Sequence, residues 1–536
     1  MTGHLVTDAV EVARDRHSSG PVADPSRQRP ALQLLWADRR WRLAAAVGIP
    51  VVTGLLVAAV MPRGPVTAGQ ALGVILLGTV VGLAAGLALR SRWAMLLAPI
   101  AHVAAFELAR LGAEWPTVDR IGLSGMAFMA LILGRGVHGL LGLLPMVLGG
   151  AYGAALARRL TAEAAPGGTG ARTAMYARRG VAALAAVGVM LLAVAVTWPA
   201  STPPIVGGDG EPLPGSIAEL TTVELGGVDQ AVLMRGQDVD NPVLLVLHGG
   251  PGGSALGVTP VLLAELEEDF VVVGWDQPGA GKSYPLLEPT RDMTVERMIA
   301  DTIELTDHLR ERFDEQRIYV LGESWGSTLG VLAVHRHPER FHAYIGAGQM
   351  TDQLETDLRL YRQALAYVEE TGDTAMQEAV VAMGEPPYER ISGSALDLSA
   401  HVDKLATAYT PPPAYLERGG GLGPMGVLAP EYGLMDKVNV LRGLFDSFAV
   451  FYPRVQGEVD LRVIAPALDV PVYVIEGAHE HPARYDLAVE WFEALDAPSK
   501  QLFTVDAAGH PVVFERFDET QRILTTIVLP ETHPQG

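Results

Sequence analysis

The feature that most constrains this chain is where its apolar residues lie. Stretches 43–61, 66–89 and 181–196 carry no charged residue, 93–108 carries one acid and His102, and 121–156 is interrupted only at Arg135 and His138. A run of about 20 apolar residues suffices to cross the roughly 30 Å hydrocarbon layer of a bilayer. Charge divides at the same place. The first 200 residues hold 18 arginines against 9 acids, and the remainder holds 22 bases against 52 acids, giving a net charge of −21. The chain therefore reads as a membrane-embedded region followed by an acidic soluble one. The first apolar run starts too late, and is followed by too many others, to be a secretory signal peptide.

Arginine placement sets the expected topology, because cytoplasmic loops are enriched in Lys and Arg. Arg39, Arg40 and Arg42 precede the first run, Arg90 and Arg92 follow the second, and Arg158, Arg159, Arg172, Arg178 and Arg179 precede the last. Five crossings put all three clusters in the cytoplasm, with 121–156 supplying one span plus a re-entrant or interfacial piece. The acidic region then emerges outside the cytoplasm, making the protein a multi-pass component of the cell membrane with the lipid bilayer as its first partner. Gly73, Gly78, Gly82 and Gly86 give the second run small faces at nearly helical spacing, suited to close helix packing. Glu107, near the end of the third run, is expected to pair with Arg110 or reach the interface.

The expected domains are a disordered cytoplasmic arm (1–42), a transmembrane region of about five spans (43–198) and a linker rich in Pro, Gly and Ser (199–215). A globular core (216–350 and 466–536) follows, with a helical cap (351–465) inserted. Stretches 218–225 and 228–234, joined by Gly226-Gly227, read as a hairpin. Short apolar runs at 243–247, 271–275, 318–321, 343–346, 472–475 and 502–505 have the character of strands buried on both faces. Helical patterns between them predict an α/β fold with a mostly parallel sheet.

The chemistry concentrates in that core. The chain has no cysteine, which removes disulfides, thiolate zinc sites and cysteine nucleophiles. Its acidity argues against nucleic acid, which selects a basic face. Gly322-Glu323-Ser324-Trp325-Gly326 follows an apolar strand and precedes a helical stretch, the setting of a nucleophile elbow. A serine hydroxyl needs a base to take its proton. His510, after the last strand, is the candidate, ahead of His479 and His481. Glu480 is the candidate to orient that imidazole, with Asp486 and Asp506 as alternatives. His248-Gly249-Gly250-Pro251-Gly252-Gly253 follows another strand. Gly249 and Gly250, with the amide of Trp325, are the candidate oxyanion donors, and His248 is expected to brace the loop. Gly279-Ala280-Gly281-Lys282-Ser283 imitates a phosphate-binding loop but has Asp276 where the first glycine belongs. His479-Glu480-His481 lacks a third ligand, so no metal and no cofactor are expected.

Together, the runs 248–252, Trp275-Asp276-Gln277 with Gly279 and Gly281, 322–329 and Gly509-His510 resemble the proline iminopeptidase (prolyl aminopeptidase) branch of the α/β-hydrolase superfamily over roughly 217–529. The resemblance implies an α/β-hydrolase fold with a helical cap, Ser324 as nucleophile, His510 as base, and Glu480 where that branch has Asp. Three departures stand out. Pro278 replaces the usual Arg, Glu323 replaces a frequent Gly, and the cap shows no match to the paired acidic motifs that hold a free amino terminus. Asp352, Glu355 and Asp357 near the entry of the cap, and later Glu385 and Glu389, are the candidate acids there. The expected activity is serine hydrolysis of an amide or ester in a small molecule or short peptide. The alternatives are an esterase rather than an aminopeptidase, a silent binding domain of the same fold, and a transporter with an appended domain; oligomeric state is left open.

Overall fold

The structure is a computed structural model that describes residues 36–112, 116–119, 125–161, 169–287, 293–388, 401–405, 409–418 and 426–533. Most of the expected arm, and Glu389, lie outside the described residues. Five long helices form the N-terminal region: α1 (Arg39–Val60), α2 (Ala68–Leu89), α3 (Ala94–Ala109), α4 (Val137–Leu160) and α5 (Thr169–Thr197). Their starts follow local chemistry. Asp38 accepts the Arg40 amide at 2.7 Å and Thr67 accepts that of Gln70 at 3.2 Å, satisfying donors that have no partner within the helix. Four of the helices are long and apolar enough to cross a membrane; α3, at 16 residues, is shorter. The protein is thus membrane-associated by the character of these helices.

Within the stretch expected to form a span plus a re-entrant or interfacial piece, the described residues run as one helix with no re-entrant turn. Ala127–Leu160 is continuous over 34 residues, with a π-helical turn at Ile132–Gly136. Arg135 does not break it, because the guanidinium donates to both oxygens of Glu107 at 3.1 and 3.0 Å. Glu107 also takes two bonds from Arg110, the shorter at 2.8 Å, so its pairing is wider than the expected one.

The five helices alternate between two ends of a bundle. At one end, Trp36 Nε1 donates to Leu87 O at 2.9 Å and Arg90 Nη2 to Thr161 Oγ1 at 3.2 Å. At the other, Arg110 Nη1 donates to Pro62 O at 2.9 Å. α2 and α4 meet through glycine: a Cβ on Gly78, Gly82 or Gly86 would lie 2.2, 2.0 or 2.3 Å from a carbonyl oxygen of α4. Gly73 faces open space and takes no part in this contact.

The soluble region is built on an eight-stranded sheet in the order β1-β2-β4-β3-β5-β6-β7-β8. Its strands are β1 (Ile217–Leu225), β2 (Val228–Gly236), β3 (Val243–Leu247), β4 (Val271–Trp275), β5 (Ile318–Glu323), β6 (Phe341–Ala347), β7 (Val472–Gly477) and β8 (Lys500–Val505). β1 and β2 pair antiparallel, β2 joins β4 antiparallel, and all later pairings are parallel. The central strands β3, β4 and β5 are buried at every position, as helices on both faces require. Helices α6 (Val295–Arg312) and α7 (Trp325–Arg336) connect strands in the first half of the sheet. Between β6 and β7 the described residues contain helices and no strand, the longest being α8 (Gln353–Thr371) and α9 (Leu434–Glu458).

α9 joins the two regions. Its Arg442 is fully buried and donates to Leu133 O at 2.7 Å and Pro65 O at 2.7 Å. Asn439 Nδ2 donates to Val66 O at 2.7 Å. Asp446 accepts from Thr117 Oγ1 at 2.6 Å and from the Tyr284 hydroxyl at 2.6 Å. In return Arg63 donates to Leu287 O at 2.8 Å. Apart from the Tyr284 bond, which lies within the soluble region, these contacts engage the end of the bundle opposite the arginine clusters.

Candidate functional site

Ser324 sits on the turn between β5 and α7 with φ 53 and ψ −122. A non-glycine residue there is strained by about 1–3 kcal/mol, and such strain clusters at functional sites. Its neighbours make the turn fit. A Cβ on Gly322 would lie 2.3 Å from Gly326 O, and one on Gly326 would lie 1.9 Å from Leu247 O, so the small residues two positions either side of Ser324 are sterically required. The turn projects the hydroxyl at the carboxyl end of the central parallel strand.

β7 and β8 bring two more side chains to the same edge. His510 Nε2 lies 2.9 Å from Ser324 Oγ, and His510 Nδ1 bonds to Glu480 Oε2. Glu480 is buried, and its other oxygen accepts the His481 amide at 2.5 Å and Arg484 Nε at 2.9 Å. Burial alone would raise its pKa, but the Arg484 guanidinium and His510 hold the carboxyl well below the usual range. An ionised Glu480 only accepts, so the proton on His510 belongs on Nδ1, leaving Nε2 free to accept from the serine.

The rival residues lie elsewhere. His479 stacks on Tyr409 with ring centroids 4.7 Å apart, His481 caps helix α10 (Pro482–Ala494) by accepting the Ala483 amide, and Asp486 and Asp506 are exposed. Lys282, in the glycine-lysine-serine decoy, pairs with Asp436 at 2.7 Å, while Asp276 accepts the amide of Lys282 itself at 2.8 Å.

The glycine loop differs in one respect from expectation. The Gly249 amide donates to Glu323 Oε2 at 2.9 Å and is therefore engaged. Among the described residues no acceptor is found for the Gly250 amide, and Trp325 is the first residue of α7, where the amide lacks an intrahelical acceptor. Gly250 and Trp325 are thus the two open donors beside Ser324. Glu323, which replaces glycine in the resembling branch, is the physical reason: its carboxylate takes the amide. His248 stacks on Phe514 at 5.2 Å, and Gln277 ties Trp325 Nε1 (3.0 Å) to His248 O (3.1 Å), fixing both donors relative to each other.

Three supporting residues escaped the sequence reading. Arg484 lies four positions after Glu480, a spacing that could have found it. Glu515 accepts the Gly509 amide at 2.7 Å and so holds the loop bearing His510. Glu476, at the end of β7, accepts the Gln349 amide at 2.7 Å; its burial, and then the charge of Glu480, push its pKa well up. No local motif marks these last two.

A cavity of about 20 Å³ adjoins Ser324, bounded by Gly250, Trp325, Met350, Gln353, Tyr452 and Val455 of α9, and Val459 just past the end of that helix. Behind Gln353 and Tyr452 lies Asp357, which accepts from both at 3.1 and 2.6 Å and also from Gln456. Burial pushes its carboxyl up to about 6.

A family model described as alpha/beta hydrolase fold matches residues 242–517. A probable aminopeptidase of Bacillus subtilis (strain 168) is 28% identical over 304 residues, covering 55% of this chain and 91% of that protein. A probable proline iminopeptidase of Leptolyngbya boryana is 32% identical over 126 residues, 23% of this chain and 37% of that one, so the chain spans little more than a third of it. A proline iminopeptidase-related protein of known structure from Thermus thermophilus is 23% identical, over 59% of this chain and 98% of its own, with a TM-score of 0.38.

Proposed function

The chain belongs to the alpha/beta hydrolase fold family, and on that premise we propose that it is a membrane-held serine hydrolase cleaving an amide or ester through an acyl-enzyme. The observation that carries this reading is the 2.9 Å approach of His510 Nε2 to Ser324 Oγ, with Glu480 on the far side of the ring. Ser324 Oγ attacks the carbonyl carbon as its proton passes to Nε2. The amides of Gly250 and Trp325 receive the oxyanion, and Glu480 stabilises the imidazolium. His510 then protonates the leaving amine or alcohol. Water, deprotonated by the same nitrogen, releases the acid and restores the serine.

The hydrolase region acts outside the cytoplasm in this reading. The arginine clusters collect at one end of the bundle and the hydrolase contacts at the other, so the excess of positive charge in cytoplasmic loops assigns the domain to the opposite side.

Aminopeptidase specificity is the finer version, supported by the names of the relatives and by Asp357. A free amine needs a carboxylate in the pocket. Asp357 lies one side chain behind the cavity wall, held by three neutral donors. The test is a comparison of a proline arylamide bearing a free amine, its N-acylated form and a small aryl ester. Ser324→Ala should lower turnover of every accepted substrate by about 10⁴-fold or more, and undiminished activity would overturn the serine mechanism. Preference for the free amine, growing as the pH rises through about 6 and Asp357 ionises, supports amine recognition. Hydrolysis of the ester and the acylated compound alone leaves an esterase-like hydrolase.

A further inference from the structure

The bundle end away from the hydrolase contains a groove of about 660 Å³ lined by Arg90, Ser91, Arg92, Trp93, Arg158 and the apolar side chains of Met95, Leu96 and Val147. Its volume falls in the roughly 300–1,000 Å³ range of small-molecule sites. Three guanidinium groups converge on it from the α2–α3 turn and the end of α4, and no carboxylate is among its lining residues. Arg90 is committed elsewhere, to Thr161 and to the face of Trp36, 5.3 Å from its ring centroid. Arg92 and Arg158 form no ion pair among the described residues. Like charges gathered around one cavity repel unless an anion enters it.

The lining is also graded. Arginines and a serine hydroxyl stand at the loop end. Trp93, 67% exposed, marks the level at which indole rings settle in a bilayer. Met95, Leu96 and Val147 continue along the apolar flank of the helices. An inorganic anion would use the first part of this surface and leave the rest in contact with nothing of its own chemistry. A molecule with a phosphate at one end and acyl chains at the other matches all of it.

We propose that this groove is a binding site for an anionic phospholipid, its headgroup phosphate held by Arg92 and Arg158 and its chains lying along Met95, Leu96 and Val147. The lipid occupies the leaflet at the arginine-rich end, where anionic headgroups and basic pockets between helices meet. It lies against both α3 and α4, where Gly150 of α4 already packs closely on the backbone of Ala94 and Met95. The site is separate from Ser324 and does not depend on the substrate of the hydrolase.

The full-length protein in neutral detergent, analysed by native mass spectrometry with added phosphatidylglycerol or phosphatidylcholine, tests this. Wild type should retain phosphatidylglycerol in preference to phosphatidylcholine, and Arg92→Gln/Arg158→Gln should hold it about thirtyfold more weakly. Arg92→Lys/Arg158→Lys, which keeps the charge, should retain most of the binding, so a loss in the glutamine variant is not mistaken for misfolding. Arg39→Gln/Arg40→Gln, an equal charge loss outside the groove, should bind as wild type does. Equal retention by the Arg92/Arg158 glutamine variant, or equal loss in the Arg39/Arg40 control, overturns the proposal. Displacement of the lipid by excess inorganic phosphate would instead assign a free-phosphate site and overturn the lipid.

Discussion

Two buried glutamates, four residues apart, have opposite electrostatic fates. Glu480 faces Arg484 and His510 and stays ionised, whereas Glu476 faces a backbone amide and its charged neighbour and holds its proton. Glu480→Gln should therefore lower kcat by about 10³- to 10⁴-fold, because the amide can no longer fix the tautomer of His510. Glu476→Gln should leave kcat nearly unchanged, since it replaces one neutral donor-acceptor with another. Stability separates the two as well. A carboxyl whose folded pKa is raised contributes fully below its unfolded value of about 4.5 and loses that contribution as the pH climbs toward the folded value. Thermal unfolding from pH 4 to 8 should show Glu476→Gln gaining on wild type as pH rises; a constant difference would contradict the assignment. At this scale the sequence was most legible where chemistry is local. Ser324 stood out by its glycine neighbours, and His510 and Glu480 by their places after the last two strands. Glu476 was not legible, because a glutamate ending an apolar strand carries no signal of its neighbour's charge. Nor was the engagement of the Gly249 amide, which depends on how Glu323 folds back across the turn.

Among the elements, α9 has the largest consequence. Its first half is fastened by Asn439, Arg442 and Asp446 to loops of the helical bundle, and its second half supplies Tyr452 and Val455 to the cavity beside Ser324. The same helix thus meets the bundle and walls the site. Arg442→Ala leaves buried carbonyls of Pro65 and Leu133 without donors, and should lower the stability of the full-length protein in detergent by about 2–4 kcal/mol. If the fastening also positions the cavity wall, KM should rise more than kcat falls, while labelling of Ser324 by a small phosphonate persists. An unchanged unfolding midpoint would show that the contact is dispensable. The strands were readable from short apolar runs bounded by Gly and Pro, since burial on both faces leaves little room for polar residues. The union of α9 with the bundle was not: its contacts run from side chains to backbone carbonyls more than 300 residues away in the chain, and a carbonyl has no residue identity to read. The continuity of Ala127–Leu160 was hidden for a related reason. Arg135 looked like an interruption because its partner Glu107 lies on another helix.

For the molecule as a whole, the topology proposed above puts the positive end of the bundle in the cytoplasm and the hydrolase region at the opposite end. Protease added to intact spheroplasts should remove the region beyond Trp198 while sparing an epitope placed before Arg39, and full protection of that region until lysis would invert the topology. The division into two physical objects was plain in the sequence, because hydropathy and charge change together near residue 200; the groove at the arginine end was not, since it needs the ends of α2 and α4 side by side. The central claim remains that Ser324 is made nucleophilic by His510 and Glu480. Its most direct measurement is peptide-mapped mass spectrometry of the full-length protein after reaction with a fluorophosphonate. The account predicts one adduct, on Ser324, lost in His510→Ala; a protein that stays unlabelled, or carries its adduct on another serine, would contradict it.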